Sequence, residues 1–387
     1  MSAIFFKSSN KSPIKSVDSI IEKLSLDIDK NEKLELVIES ESDIERHLSQ
    51  LSSTEAKKII FLFSNNPLTE NIIKAIPQNL SKSIILICFG ESYFLVNKLN
   101  KIKNKNLHLF TFSKSYRNLL DHLTVYPVSS LPPIIKSDQF FHNQDSTKQL
   151  RESLKLSPTD IVFLYSGRLS MQKNSLLLIN MFKKISNINP SIKLLIIGPI
   201  DSLAESHKGT IQNIEYAEEV RKKLIDTKNN NIIYLEKIPR TLLNKYYNCS
   251  DAFISLSTHH GEILGLAPIE ASLTGLPCFL TNWGGYKDYK DYHCASSSYY
   301  SIKQDAPIPL NLLVKDILSF KKRNHLQRKQ DSESIHNKLS QINVLKSIYD
   351  KINYPGEIME LCKNDINLKS ETLDREEYKA LFKYFYE

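Results

Sequence analysis

Short apolar runs, AIFFK, LELVIE, KIIFLF, SIILIC and LHLFTF, recur through the amino-terminal part of the chain with helix-length stretches between them. Runs of this length read as strands, and strands alternating with helices predict a doubly wound sheet covered by helices. FSKSYRNLL followed by VYPVSSLPPIIKSDQF ends that pattern, with Pro127, Pro132 and Pro133 marking a stiff exit. DSTKQLRESLKLSPTD then leads into a second sheet that opens with IVFLYS. A chain of 387 residues suits about two domains. The expected division is 1–140, 141–326 and a closing segment, 327–387. In that last segment DSESIHNKLSQINVLKSIYDKI reads as one capped amphipathic helix, and EEYKALFKYFYE closes the sequence.

The second sheet carries the chemistry. In HHGEILGLAPIEASLTGLP, Glu262 and Glu270 stand eight positions apart. Gly265 allows a tight turn, and Leu266 to Thr274 reads as a short helix with Pro268 in its first turn, where a missing N–H costs nothing. Gly275 and Pro277 stop that helix before the strand PCFLT. Glu262 is therefore expected at the end of a loop and Glu270 about one turn into a helix, flanking a helix N-terminus. That place suits a phosphorylated, polyhydroxylated ligand, with amides for phosphate and carboxylates for sugar hydroxyls. Alone, two glutamates at this spacing are most often solvated surface charges. The weight comes from upstream, where IVFLYSGRLSMQKN reads as a buried strand, a turn at Gly167, then Arg168 and Lys173 before the helix SLLLINMFKKI. Ligands of open α/β sheets bind at that carboxyl edge, and a guanidinium with an ammonium there would neutralise a diphosphate leaving group.

GRLSMQK, LLIIGP, NIIYLEKIPRTLLNKYYNCSDAFISLS, GEILGLAPIEASLTGLP and TNWGG, in that order, resemble the donor-binding half of GT-B glycosyltransferases. The likeness is greatest to the large retaining group called glycosyltransferase family 4, and it runs from about Ile161 to Asp288. The resemblance implies two Rossmann-like, doubly wound domains facing across a cleft. The first would take the acceptor and the second a nucleotide-sugar donor. It further implies that Arg168 and Lys173, beside Gly167, bind the diphosphate and that Glu262 touches donor-sugar hydroxyls. Gly265 and Leu266 would offer backbone N–H groups, Glu270 would hold the ribose, and the main chain of Lys237 and Ile238 would meet the nucleobase. Retention of configuration also comes from the resemblance, which calls for no metal and no cofactor besides the nucleotide sugar as co-substrate. Ile263 departs from the pattern, because glycine is common there and a branched side chain reshapes the sugar pocket. The first domain departs further. Its first glycine is Gly90, so SSNKSP follows AIFFK where relatives often carry a glycine-rich loop. His108 and His122 read as ordinary structural histidines, not as the histidine relatives often carry at the cleft edge.

Composition narrows the remaining possibilities. The net charge is +8, with one basic cluster at Lys98, Lys101, Lys103, Lys105, Lys114 and Arg117 and another at Lys321, Lys322, Arg323, Arg328 and Lys329. A solvated basic face is the ordinary reading of each; peripheral contact with an anionic membrane, suited to a lipid-linked acceptor, is the functional one. Nucleic acid is not an expected partner, since no recognition helix, zinc module or aromatic RNA-binding signature accompanies the lysines. No apolar run approaches the ~18 residues of a membrane span, and no signal peptide is visible. The five cysteines are scattered without a C-x-x-C pair, which reads as reduced, mostly buried thiols in a cytoplasmic protein. Asp27-Ile28-Asp29 reads as a solvated turn rather than a metal motif. His259 and His260 lack further ligands at zinc spacing, and Trp283 reads as core packing more than as a sugar platform.

Three function classes meet these residues. A glycoside hydrolase would use two carboxylates but has no use for Arg168 and Lys173. A catalytically silent relative that binds nucleotide or a partner glycosyltransferase fits the unusual first domain. The full set of Arg168, Lys173, Glu262 and Glu270 favours a retaining transferase. Such an enzyme would move a sugar from a UDP- or GDP-linked donor to a hydroxyl of a glycan or lipid-linked saccharide.

Overall fold

The computed structural model describes residues 3–7, 15–28, 33–53, 59–64, 68–77, 82–90, 92–102, 106–144, 147–202, 213–225, 231–259, 261–302 and 307–353. Contacts divide them into two units: the residues up to Ile135 with those from Ile342 onward, and Lys136–Gln341. SSNKSP, Asp29, Lys103, Lys105, His260, Cys362 and EEYKALFKYFYE lie outside the described residues.

The first unit holds β1 (Ala3–Lys7), β2 (Lys33–Val37), β3 (Ile59–Phe63), β4 (Ser83–Ile87), β5 (Leu107–Thr111) and β6 (Val128–Ser130). They form one sheet in the order β2-β1-β3-β4-β5-β6, every pairing parallel. Parallel strands covered on both faces need continuous apolar runs rather than alternation, and IIFLF in β3 is buried throughout. Phe5 stacks on Phe61 with ring centroids 4.7 Å apart, tying β1 to β3. Ser113 caps the helix Lys114–Leu123 by accepting from the Tyr116 N–H at 2.9 Å.

The second unit holds β7 (Ile161–Ser166), β8 (Ile192–Ile197), β9 (Ile232–Leu235), β10 (Ala252–Ser255), β11 (Cys278–Thr281) and β12 (Ser298–Tyr300), again all parallel. Their order is β12-β11-β10-β7-β8-β9. The chain winds outward from β7 to β9, returns to the other side of β7, and winds the opposite way. That reversal between β7 and β10 is where open sheets of this order open a crevice at their carboxyl ends. Beneath it, the Phe163 ring meets Phe182, Phe279 and Phe320 edge-on at 5.6, 5.2 and 5.5 Å.

The closing segment differs from the expectation of a single helix. One helix, His325–Ser340, starts in a capping box formed by Asn324 and Gln327, and a second, Val344–Asn353, follows it. The break arises at Asn343, whose side chain accepts from the Lys346 N–H at 2.8 Å and so caps a new helix. Arg328 of the first helix is buried. Its guanidinium donates to the carbonyls of Asn248 (3.3 Å), Ser250 (3.0 Å), Tyr247 (3.5 Å) and Thr274 (3.2 Å). It thereby closes the carboxyl ends of the helices Arg240–Cys249 and Leu266–Leu273. Among the described residues no helix is long and apolar enough to cross a membrane.

Candidate active site

Two loops meet at the reversal point, one after β7 and one after β10. Asn174 bolts them together, its carboxamide donating to the Leu256 carbonyl at 2.7 Å and to Thr258 Oγ1 at 3.0 Å. It does so from the left-handed region, φ 52°, which asparagine tolerates better than most residues. Ser257 Oγ adds a bond to the Gln172 carbonyl at 3.3 Å. The result brings Lys173 Nζ onto Glu262 Oε2 as a hydrogen-bonded ion pair.

Glu262 is held from behind by the segment after β11. Tyr286 donates to Glu262 Oε2 at 3.2 Å and shares a 2.9 Å hydrogen bond with Ser255 Oγ. Gly285 N–H reaches the Glu262 carbonyl at 2.6 Å. A Cβ on Gly285 would lie 2.7 Å from Ile263 C and Leu264 N, so only glycine lets the two segments approach this closely. Gly265, at φ +64°, faces the Tyr286 ring, which a Cβ would meet at 2.6 Å. Trp283 is buried and donates from Nε1 to the His259 carbonyl at 2.9 Å, so its role is to pin this loop. Ile263 is buried too. Burial pushes the Glu262 carboxyl up, but the Lys173 charge and hydrogen bonds from Lys173, Ser257 and Tyr286 outweigh it and hold the group below 4.5, the ordinary glutamate value. Glu262 is therefore a carboxylate, able to accept from hydroxyls. Burial first, then the Glu262 charge, keeps the Tyr286 phenol protonated.

Arg168 stands at the turn after β7, where Tyr165 OH donates to its carbonyl at 2.6 Å. Its guanidinium pairs with Asp201 at 2.8 Å and reaches Gln172 Oε1 at 3.5 Å. Gly167 N–H bonds the Ile197 carbonyl at 2.9 Å, aligning the ends of β7 and β8. Leu266 and Ala267 open the helix Leu266–Leu273, whose first N–H groups have no partner within the helix; Pro268 contributes none. Glu270 is buried in that helix and bonds Arg240 at 2.6 Å and Tyr247 OH at 3.1 Å. Lys237, exposed, and Ile238, half-buried, follow the edge strand β9. Sequence reasoning singled out neither Asp201, Arg240, Tyr247 nor Tyr286. Arg240 and Tyr247 sit inside a quoted motif and Asp201 and Tyr286 just past one, yet only the fold shows that their polar atoms converge on Arg168, Glu262 and Glu270.

Other expectations resolve structurally. Asp27 pairs with Lys23 at 2.7 Å one helical turn away. His122 Nδ1 lies 2.9 Å from its own helix's Asn118 carbonyl. Cys88, Cys249, Cys278 and Cys294 are buried thiols, and burial drives the first three up to about 12. In the second basic cluster Arg328 is buried, Arg323 pairs with Asp331 at 2.7 Å, and Lys322 donates to the Pro158 carbonyl at 2.7 Å. These three cations are structural.

The family described as glycosyl transferases group 1 matches residues 146–326. Lipopolysaccharide 1,2-N-acetylglucosaminetransferase of Salmonella typhimurium is 25% identical over 220 residues, 55% of this chain and 53% of that protein. The chain thus aligns with about half the length of that curated relative. Anabaena Alr3699/HepE, solved in complex with UDP and glucose, superposes with a TM-score of 0.65 at 12% identity, covering 91% of this chain and 99% of that one. The chain has the GT-B fold. A glycosyltransferase from Rickettsia africae ESF-5 superposes similarly, with a TM-score of 0.64 at 13% identity over 92% and 99% of the two chains. In this GT-B chain the segment matched by the family contains both loops of the reversal point and every residue assembled around them.

Proposed function

We propose that the chain is a retaining glycosyltransferase that moves a sugar from a UDP- or GDP-linked donor to a hydroxyl of a glycan or lipid-linked saccharide. The Lys173–Glu262 pair at the sheet's reversal point, with Arg168 on the same turn, carries this reading. Arg168, Lys173 and the N–H groups at Gly265 and Leu266 hold the diphosphate as negative charge develops on it. The Glu262 carboxylate accepts hydroxyls of the donor sugar, Glu270 those of the ribose, and the main chain at Lys237 and Ile238 meets the base. The acceptor's proton passes to the departing phosphate oxygen on the same face of the sugar, which retains configuration without an enzymic nucleophile. Similarity to a lipopolysaccharide N-acetylglucosaminetransferase supports a saccharide acceptor. Lys98, Lys114 and Arg117 are exposed on the neighbouring helices Tyr93–Leu99 and Lys114–Leu123, and Lys101 is exposed in the turn after the first of them. They would dock the enzyme on anionic lipid at the cytoplasmic face of a membrane.

A thermal-shift screen of nucleoside diphosphates and nucleotide sugars tests the donor, since a ligand at 100 times its Kd stabilises by ~2.7 kcal/mol. The anomeric configuration of the product then tests retention. Binding with neither transfer nor slow donor hydrolysis would leave a silent nucleotide-binding relative as the better reading.

A further inference from the structure

The Glu270 carboxylate has a protein partner on each oxygen, Arg240 on Oε1 and Tyr247 OH on Oε2. A carboxylate offers about four acceptor sites, so each oxygen keeps room for one more donor, the pattern that a vicinal diol satisfies. The Glu270 side chain is only 4% exposed, whereas that of Arg240 is 43% exposed. Something must therefore hold the long arginine in place. That support is Phe140, which is fully buried. Its ring lies under the Arg240 guanidinium at 5.3 Å and meets the Tyr247 ring edge-on at 5.6 Å. One aromatic side chain thus touches both groups that hold the carboxylate.

Phe140 belongs to a segment tied along one face of the helix Arg240–Cys249. Arg240 Nε donates to Gln139 Oε1 at 3.3 Å, and Phe141 N–H donates to Asn244 Oδ1 at 3.1 Å. Asn248 takes the Asn143 N–H at 2.8 Å and gives its own to the Phe141 carbonyl at 2.9 Å. Residues 240, 244 and 248 are successive turns of one helix face. We propose that Phe140 is a positioning residue for ribose recognition: by supporting Arg240 and Tyr247 together, it makes the aim of the Glu270 carboxylate depend on this segment staying docked. The assignment rests on the reading of Glu270 as the ribose carboxylate.

Calorimetry on the full chain tests it with UDP, GDP and ADP, their 2′,3′-dideoxy counterparts, and inorganic pyrophosphate. The parent is expected to prefer the ribose form of its best nucleotide by roughly tenfold or more, the worth of a hydrogen bond to a charged group. Phe140→Leu and Arg240→Met are expected to lose most of that preference while pyrophosphate affinity stays within about twofold. Phe140→Tyr, which keeps the ring, is expected to retain it. If Phe140→Leu does not fold, Arg240→Met reads the same ratio from a half-exposed position. Variants that keep the ribose preference overturn this assignment alone. Equal weakening of nucleotide and pyrophosphate overturns it in favour of a general packing defect. A parent without ribose preference overturns it together with the ribose reading of Glu270.

Discussion

At the scale of single residues, the pairing of Lys173 with Glu262 gives the charge proposed to bind the diphosphate a structural role as well. Lys173→Ala is expected to weaken nucleoside diphosphate binding with the fold intact, checked by calorimetry beside circular dichroism. The two glutamates should separate by ligand. Glu270→Ala should weaken nucleoside diphosphate and whole donor alike, whereas Glu262→Ala should spare the nucleoside diphosphate and slow transfer. Each lost charge-assisted bond is worth ~1.5–3 kcal/mol, or roughly ten- to more than a hundredfold. Acid adds an independent measurement. Because the folded Glu262 titrates below 4.5, the unfolded chain takes up its proton first as pH drops. The group's contribution is therefore present above 4.5 and lost as pH falls through the lower folded value. Lys173→Met removes the main attraction and leaves burial as the largest influence on Glu262, so this acid-dependent loss of stability is expected to shrink or reverse, measured by urea unfolding of variant and parent across the acid range. Arg168, Lys173, Glu262 and Glu270 could be singled out in the sequence as candidates because their motifs are local. Their partners Asp201, Tyr286 and Arg240 could not, because each comes from a different strand's end.

At the scale of elements, strand identity was legible for a related reason. Runs such as IIFLF are apolar without interruption, and a strand covered on both faces tolerates nothing else. The helix from Leu266 also reads from its own punctuation, glycine before and proline within the first turn. The closing helix misled, because the polar Asn343 looks like an exposed helical residue until its side chain is seen capping Lys346. Where that helix starts, His142 Nε2 lies 2.7 Å from His325 Nδ1, and its Nδ1 lies 3.1 Å from Asn248 Oδ1. Burial foremost, then Arg328, brings His142 down to about 4 from the usual 6.5. The unfolded chain therefore binds the extra proton between those values, and acid favours unfolding across that window. In His142→Asn the fall of melting temperature from pH 6.5 to 4 is expected to be shallower than in the parent. Equal slopes would sink that account.

At the scale of the whole molecule, charge by itself was a poor guide. The two basic clusters look alike in sequence, yet Lys98, Lys101, Lys114 and Arg117 are exposed while Arg323 and Arg328 are taken up by the fold. If the first cluster meets lipid, binding to liposomes should need acidic headgroups and fall with added salt. Equal binding to neutral vesicles, or none to acidic ones, would leave a solvated face. Arg328 points elsewhere. It lies outside the stretch matched by the family, 146–326, and after the last strand of its sheet. Anyone trimming the chain to that stretch, or shuffling it between relatives as an interchangeable cartridge, would discard a cation that terminates two helices at once. Four carbonyls would then lose a partner, and Arg328→Met is expected to cost about 3 kcal/mol or more in urea unfolding. A cartridge that can be exchanged between such chains should therefore end after Ser340.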